Sequence, residues 1–150
     1  MPPAIETARW IVAGLFAILL VIASVSDIRY RLIPNWSVLA LLALFIPWIF
    51  VGPDVSVVLS LARFATFFAA GVALYAFGIW GAGDSKLMAA VALFISWDQL
   101  QLFLFATALC GGILALAIIV IRRWWAIERT VPYGVAIAAG AVLAVFNGMG

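Results

Sequence analysis

Residues 57–97, VVLSLARFATFFAAGVALYAFGIWGAGDSKLMAAVALFISW, hold a long apolar run, a break at Gly81-Ala82-Gly83-Asp84, and a second, shorter apolar run. Only Arg63, Asp84 and Lys86 carry charge in that stretch. A helix that spans a bilayer needs about 20 apolar residues to cross a hydrocarbon core about 30 Å thick. Residues 57–80 meet that requirement and residues 85–97 do not. At 1.5 Å per residue, a helix from Ser85 to Trp97 covers only about 18 Å. Such a helix requires either a locally thinned bilayer or a preceding loop recessed below the headgroups.

The same alternation continues in both directions. The chain is 69% hydrophobic and 9% charged, with a mean hydropathy of +1.30, against roughly 45–50% apolar and about 25% charged for soluble globular domains. Polar and Gly/Pro breaks divide it into apolar stretches at 8–26, 36–51, 57–80, 85–97, 99–121 and 132–147. The expectation is an all-α membrane protein of about six transmembrane helices, forming one polytopic domain over residues 1–150 in the lipid bilayer. Trp10 to Ser24 has the length of a secretory signal core, but Glu6 offsets Arg9 and further spans follow, so it reads as the first span. With the N-terminus outside, the inward loops carry Arg29, Arg31, Lys86, Arg122, Arg123 and Arg129, and the outward segments only Arg9. Arg63, near the outer end of the third stretch, is expected to snorkel or to pair with a carboxylate. Trp10, Trp36, Trp48, Trp80, Trp97, Trp124 and Trp125 fall near the predicted helix ends, as interfacial anchors do.

With no histidine and one cysteine, Cys110, the usual zinc ligand sets and an internal disulfide are excluded. No basic stripe marks a nucleic-acid partner, and no cofactor or metal is expected. Chemistry therefore falls to carboxylates. Glu6, Asp54 and Asp98 lie in outward segments and Glu128 in a basic inward loop, which leaves Asp27 and Asp84 at the inner ends of apolar helices. Singly, Asp84 reads as a helix N-cap and Asp27 as a partner for Arg29 or Arg31. Together, two acids in a partly desolvated site share a proton: one carboxylate activates water while the other polarises a carbonyl. Gly81 and Gly83 permit positive φ and a close backbone approach. Helix polarity favours an ionised Asp84, which begins a helix, and a protonated Asp27, which ends one; Arg29 and Arg31 oppose that assignment. Pro34 and Asn35 read as the turn that starts the second helix, with Asn35 as its N-cap. Lys86 reads as a topology charge or as a cation beside Asp84, and Tyr133 as an interfacial anchor. The rival readings are a proton- or ion-coupled carrier subunit, against which both acids standing at one face argues, and a non-catalytic subunit of a pilus assembly complex.

At these residues the sequence resembles the type IV prepilin peptidases of the Gly-x-Gly-Asp membrane aspartyl proteases. Asp27-Ile28-Arg29-Tyr30-Arg31-Leu32-Ile33-Pro34-Asn35 is similar to the family's first motif, Gly81-Ala82-Gly83-Asp84-Ser85-Lys86-Leu87 to its second, and the stretch opened by Pro132-Tyr133-Gly134 to its final helix. The resemblance implies an aspartic endopeptidase of the bacterial inner membrane with catalytic Asp27 and Asp84. It would cut a prepilin at the cytoplasmic face after a short basic leader and leave the pilin's apolar helix in the membrane. The chain length resembles the short branch associated with tight-adherence or Flp pili. Larger relatives that also N-methylate carry paired Cys-x-x-Cys motifs absent from this sequence, so methyl transfer is not expected.

Overall fold

The computed structural model describes residues 2–53, 55–122 and 131–149, and among them the regular structure is helical throughout. Six helices follow the six apolar stretches: α1 (Pro3–Tyr30), α2 (Asn35–Val51), α3 (Val57–Ala76), α4 (Ala82–Ala92), α5 (Trp97–Arg122) and α6 (Tyr133–Asn147). The expectations placed on Asp54, Arg123, Trp124, Trp125, Glu128 and Arg129, and on the side chain of Arg122, lie outside the described residues.

Consecutive helices pair as α1 with α2, α3 with α4 and α5 with α6, and α1 also packs along α6. Helix α4 joins these pairs, touching α2 and α6 as well as α3. Its burial accounts for its length. From Leu87 to Ile95 no residue is more than 5% exposed, so α4 is enclosed by protein and has no hydrocarbon thickness to match. Neither bilayer thinning nor a recessed loop is needed, because short elements at membrane depth are tolerated inside a protein envelope. Pro3–Tyr30, Val57–Ala76 and Trp97–Ile121 are long and apolar enough to cross a membrane, and α2 and α6 are shorter apolar helices. Their outward faces expose residues such as Ile18, Val58 and Leu116, the pattern of helices solvated by lipid rather than water.

Two sequence expectations change at the far end of α4. Arg63 is buried, and its Nε donates to the carbonyl of Ala92 at 3.3 Å while Nη2 donates to Ser60 Oγ at 2.8 Å. The guanidinium also lies 5.7 Å from the centre of the Trp97 ring. It therefore serves a buried helix-end carbonyl of α4 instead of snorkelling to the boundary. Trp48 is 2% exposed and packs 5.7 Å from Phe94, which also contacts Phe16 at 4.6 Å. That indole is core, not interfacial belt, since α4 brings Phe94 against it.

Helix α3 approaches the other end of α4 at Gly71. A Cβ built there would stand 2.7 Å from Ser85 Cβ and 3.0 Å from Ser85 Cα, and Ser85 Oγ donates to the Gly71 carbonyl at 2.9 Å. A side chain at this position forces the two backbones apart. Gly71→Ala should destabilise the protein by about 1–3 kcal/mol, seen as an earlier midpoint when unfolding in micelles is followed by circular dichroism.

Candidate active site

The residue after Gly81 opens α4, and the N-cap is Gly81 itself, without a side-chain cap. Asp84 is thus the third helical residue rather than the N-cap. From that position its carboxylate accepts a backbone hydrogen bond from Gly81, the reach-back half of a capping box. Gly81 has φ −80°, and the positive-φ residues among those described are Gly78 and Arg31. The expected positive φ at Gly81 and Gly83 is therefore not used, whereas the expected close approach is. A Cβ on Gly81 would fall 2.8 Å from Asp84 Oδ2, and one on Gly83 would fall 3.2 Å from Ile33 Cβ. Gly83 thereby lets the connection between α1 and α2 pack directly on the first turn of α4.

Asp27 lies within α1, one turn before its end, and is 7% exposed. The helix closes with Arg31 in the left-handed region at φ 52°, ψ 36°, its N–H donating to the Asp27 carbonyl at 3.0 Å. A non-glycine residue there is strained by about 1–2 kcal/mol, and the turn directs the following Leu32 and Ile33 towards α4. Ser26 Oγ ties the turn back by donating to the Leu32 carbonyl at 2.7 Å.

The partner of the Asp27 carboxylate comes from a distant part of the chain. Gly134, in the first turn of α6, donates its N–H to Asp27 Oδ2 at 2.9 Å. A Cβ at Gly134 would sit 2.8 Å from that oxygen and 3.2 Å from Asp27 Cγ, so glycine is what permits the approach. The sequence reading gave Gly134 no role in the site. The signal was its place just after Pro132-Tyr133 at the start of a helix, where free N–H groups point outward. With this contact each carboxylate faces the positive end of a helix, Asp84 that of α4 and Asp27 that of α6, so helix polarity alone does not set the two apart.

Asp27, Arg31, Ile33, Asn35, Gly81, Gly83, Asp84 and Lys86 share the wall of one cavity of about 360 Å³. Asp27 and Asp84 also line a second opening of about 370 Å³, bounded by Tyr133 and Val131. Asn35 is the first residue of α2, with Pro34 at the N-cap. Its side chain does not cap but accepts from Lys86 Nζ at 3.2 Å, a link between the two motifs. Arg29 is exposed in the last turn of α1 and, unlike Arg31, does not line the cavity. Burial, and after it the neighbouring Asp27 carboxylate, push the Asp84 carboxyl up to about 6, against the hydrogen bond from Gly81. Among the described residues no cluster of His, Cys, Asp or Glu fits a metal ion.

A sequence model described as the type IV leader peptidase family matches residues 14–116, which include both aspartates and end before Gly134. The chain is 32% identical over 142 residues to the prepilin leader peptidase/N-methyltransferase of Bacillus subtilis (strain 168), covering 91% of this chain and 55% of that protein. It thus spans about half the length of this curated relative. No solved structure matches.

The raised Asp84 value sets the sign of a pH effect. Between the ordinary carboxyl value of 3.8 and about 6, the folded protein keeps a proton that the unfolded chain releases. Stability is therefore lost as pH rises through that window. The infrared carboxylic-acid band removed by Asp84→Asn should titrate near pH 6 in the intact protein. In Asp27→Asn it should titrate at lower pH, because the like charge is gone.

Proposed function

The chain belongs to the type IV leader peptidase family, and we propose that it is a membrane aspartyl endopeptidase that removes the leader of a type IV prepilin. One observation carries this reading: the two carboxylates, one from the last turn of α1 and one from the first turn of α4, line one cavity, and a backbone N–H of α6 reaches the first of them. Asp27, which accepts the Gly134 N–H, takes the part of the base. Asp84, with its raised pKa, is suited to keep a proton. Asp27 takes a proton from a water molecule whose oxygen attacks the scissile carbonyl carbon, while Asp84 donates to the carbonyl oxygen. As the tetrahedral intermediate collapses the C–N bond breaks, the nitrogen receives the proton held by Asp27, and Asp84 recovers its own. The products are a leader with a new carboxylate and a chain with a new amine. Bringing water, carboxylate and carbonyl into one cavity supplies the proximity on which such chemistry depends.

The proposed setting is the bacterial inner membrane, with six membrane-embedded helices, the N-terminus outside and the two motifs at the cytoplasmic face. That topology rests on the distribution of Lys and Arg. The substrate is proposed to be a type IV prepilin, with the tight-adherence or Flp type as the finer reading. Methyl transfer is not part of the proposal. The non-catalytic alternative assigns Lys86 to Asp84 as a simple ion pair. The bond from Lys86 to Asn35 speaks against it.

Asp27→Asn and Asp84→Asn, each reconstituted with a prepilin, should insert normally and lose at least about 100-fold in cleavage rate. Full processing by either variant refutes the pair, and loss of proton flux in the same variants would favour a carrier. In the wild type, kcat/KM should decline as pH rises through about 6, where Asp84 gives up its proton. Gly134→Ala should lower kcat while leaving KM close to its original value, since the added methyl meets the Asp27 carboxylate.

A further inference from the structure

Two openings reach the aspartates, and four residues are common to their walls: Asp27, Gly81, Asp84 and Arg31. The first three have parts in the site already described, and Arg31 does not. The end of α1 demands a residue at φ 52°, ψ 36°, which glycine meets without the strain that an arginine carries there. Among the described residues no other non-glycine has a positive φ. The turn alone therefore gives no reason for arginine, and what this residue adds is a planar guanidinium with five N–H donors. Its charge is felt at the Asp27 carboxylate, yet among the described residues no side-chain hydrogen bond or ion pair engages it. Lys86, the other cation of the polar cavity, is bonded to Asn35 and lines only one of the two openings.

Hydrolysis at this point leaves a carboxylic acid on the leader. With an ordinary pKa of about 3.3–3.7, that acid passes its proton to the new amine, whose ordinary pKa is about 7.7–8.0. A neutral amide is thereby replaced by an anion beside two acids, which repel it. We propose that Arg31 binds the carboxylate that cleavage creates on the leader, its forked N–H groups meeting the two oxygens. This inference rests on the peptidase reading of Asp27 and Asp84. Guanidinium and carboxylate match in a planar, two-bond geometry, and the uncut chain, with an amide at that place, gains no such pair. Arg31 thus distinguishes product from substrate, and the released leader is an inhibitor through its new end. The phosphate of an anionic lipid offers the same oxyanion chemistry. The leader carboxylate, however, is formed by the reaction itself at the wall that Arg31 shares with the aspartates, whereas a lipid phosphate must come in from the bilayer and past their negative charge.

The test uses the full-length protein co-reconstituted with a type IV prepilin in phosphatidylcholine liposomes. Two synthetic leader peptides of that prepilin compete with it, one ending in a free carboxylate and one in an amide. The carboxylate form should inhibit the wild type about fivefold more strongly, the scale of a charge pair open to solvent. In Arg31→Gly, which suits the left-handed turn and should keep its thermal midpoint, the two peptides should inhibit equally. Arg31→Asn, whose side chain also tolerates that region, should behave in the same way if the glycine variant does not fold. Equal inhibition of the wild type by the two peptides overturns the proposal, as does a carboxylate preference that survives in both Arg31 variants. Adding phosphatidylglycerol should leave the preference in place. If it abolishes the preference in the wild type, the ligand of Arg31 is lipid phosphate and the product assignment falls. If Asp27→Asn is inactive in the same liposomes while the wild type shows no preference, only the Arg31 assignment fails. If Asp27→Asn cleaves normally, the peptidase reading fails with it.

Discussion

A carboxylate at membrane depth is tolerable only when something replaces its water, and for Asp27 that replacement is a backbone N–H from the first turn of α6. Unpaired ionised groups in such surroundings cost several kcal/mol. The 2.9 Å bond from Gly134 supplies a donor with no side chain of its own, and the absence of a Cβ brings it within reach. The rest of the site is arranged around that contact. The left-handed turn at Arg31 aims Leu32 and Ile33 back at α4, Gly83 accepts Ile33 at close range, and Asp84 is carried to the same cavity by the first turn of α4.

Helix α4 is held from both directions. At its N-terminal end Ser85 bonds the Gly71 carbonyl, and at its C-terminal end the Ala92 carbonyl accepts from the buried Arg63 guanidinium. Just past the C-terminal end Phe94 fills the space among Phe16, Phe45 and Trp48, and the helix between is buried from Leu87 onward. A short helix fixed at each end and packed along its length is a rigid mount for Asp84. Precise placement of reacting groups is what the proposed proton-sharing pair demands.

Much of this architecture was legible from hydropathy, because each helix shows as an apolar run bounded by polar or Gly/Pro residues. The bounds were less legible. Residues 57–80 read as one span, yet α3 ends at Ala76, since Gly78 turns the chain at φ 70° while its neighbours Phe77, Ile79 and Trp80 remain apolar. Conversely, α1 runs on through Asp27 and Arg29, because hydrogen bonding, and not apolarity, terminates it. Hydropathy also does not distinguish burial in lipid from burial in protein, which is why α4 looked too short and Trp48 looked interfacial. Both aspartates stood out as acids at the ends of apolar runs. Gly134 did not, because its contribution is a main-chain group brought near by tertiary packing.

The bond between Gly134 and Asp27 joins residues 107 positions apart. A ribosome delivers α1 long before α6, so the Asp27 carboxylate waits for its Gly134 donor until α6 has been made. On the proposed peptidase reading, a nascent chain without α6 lacks a completed site.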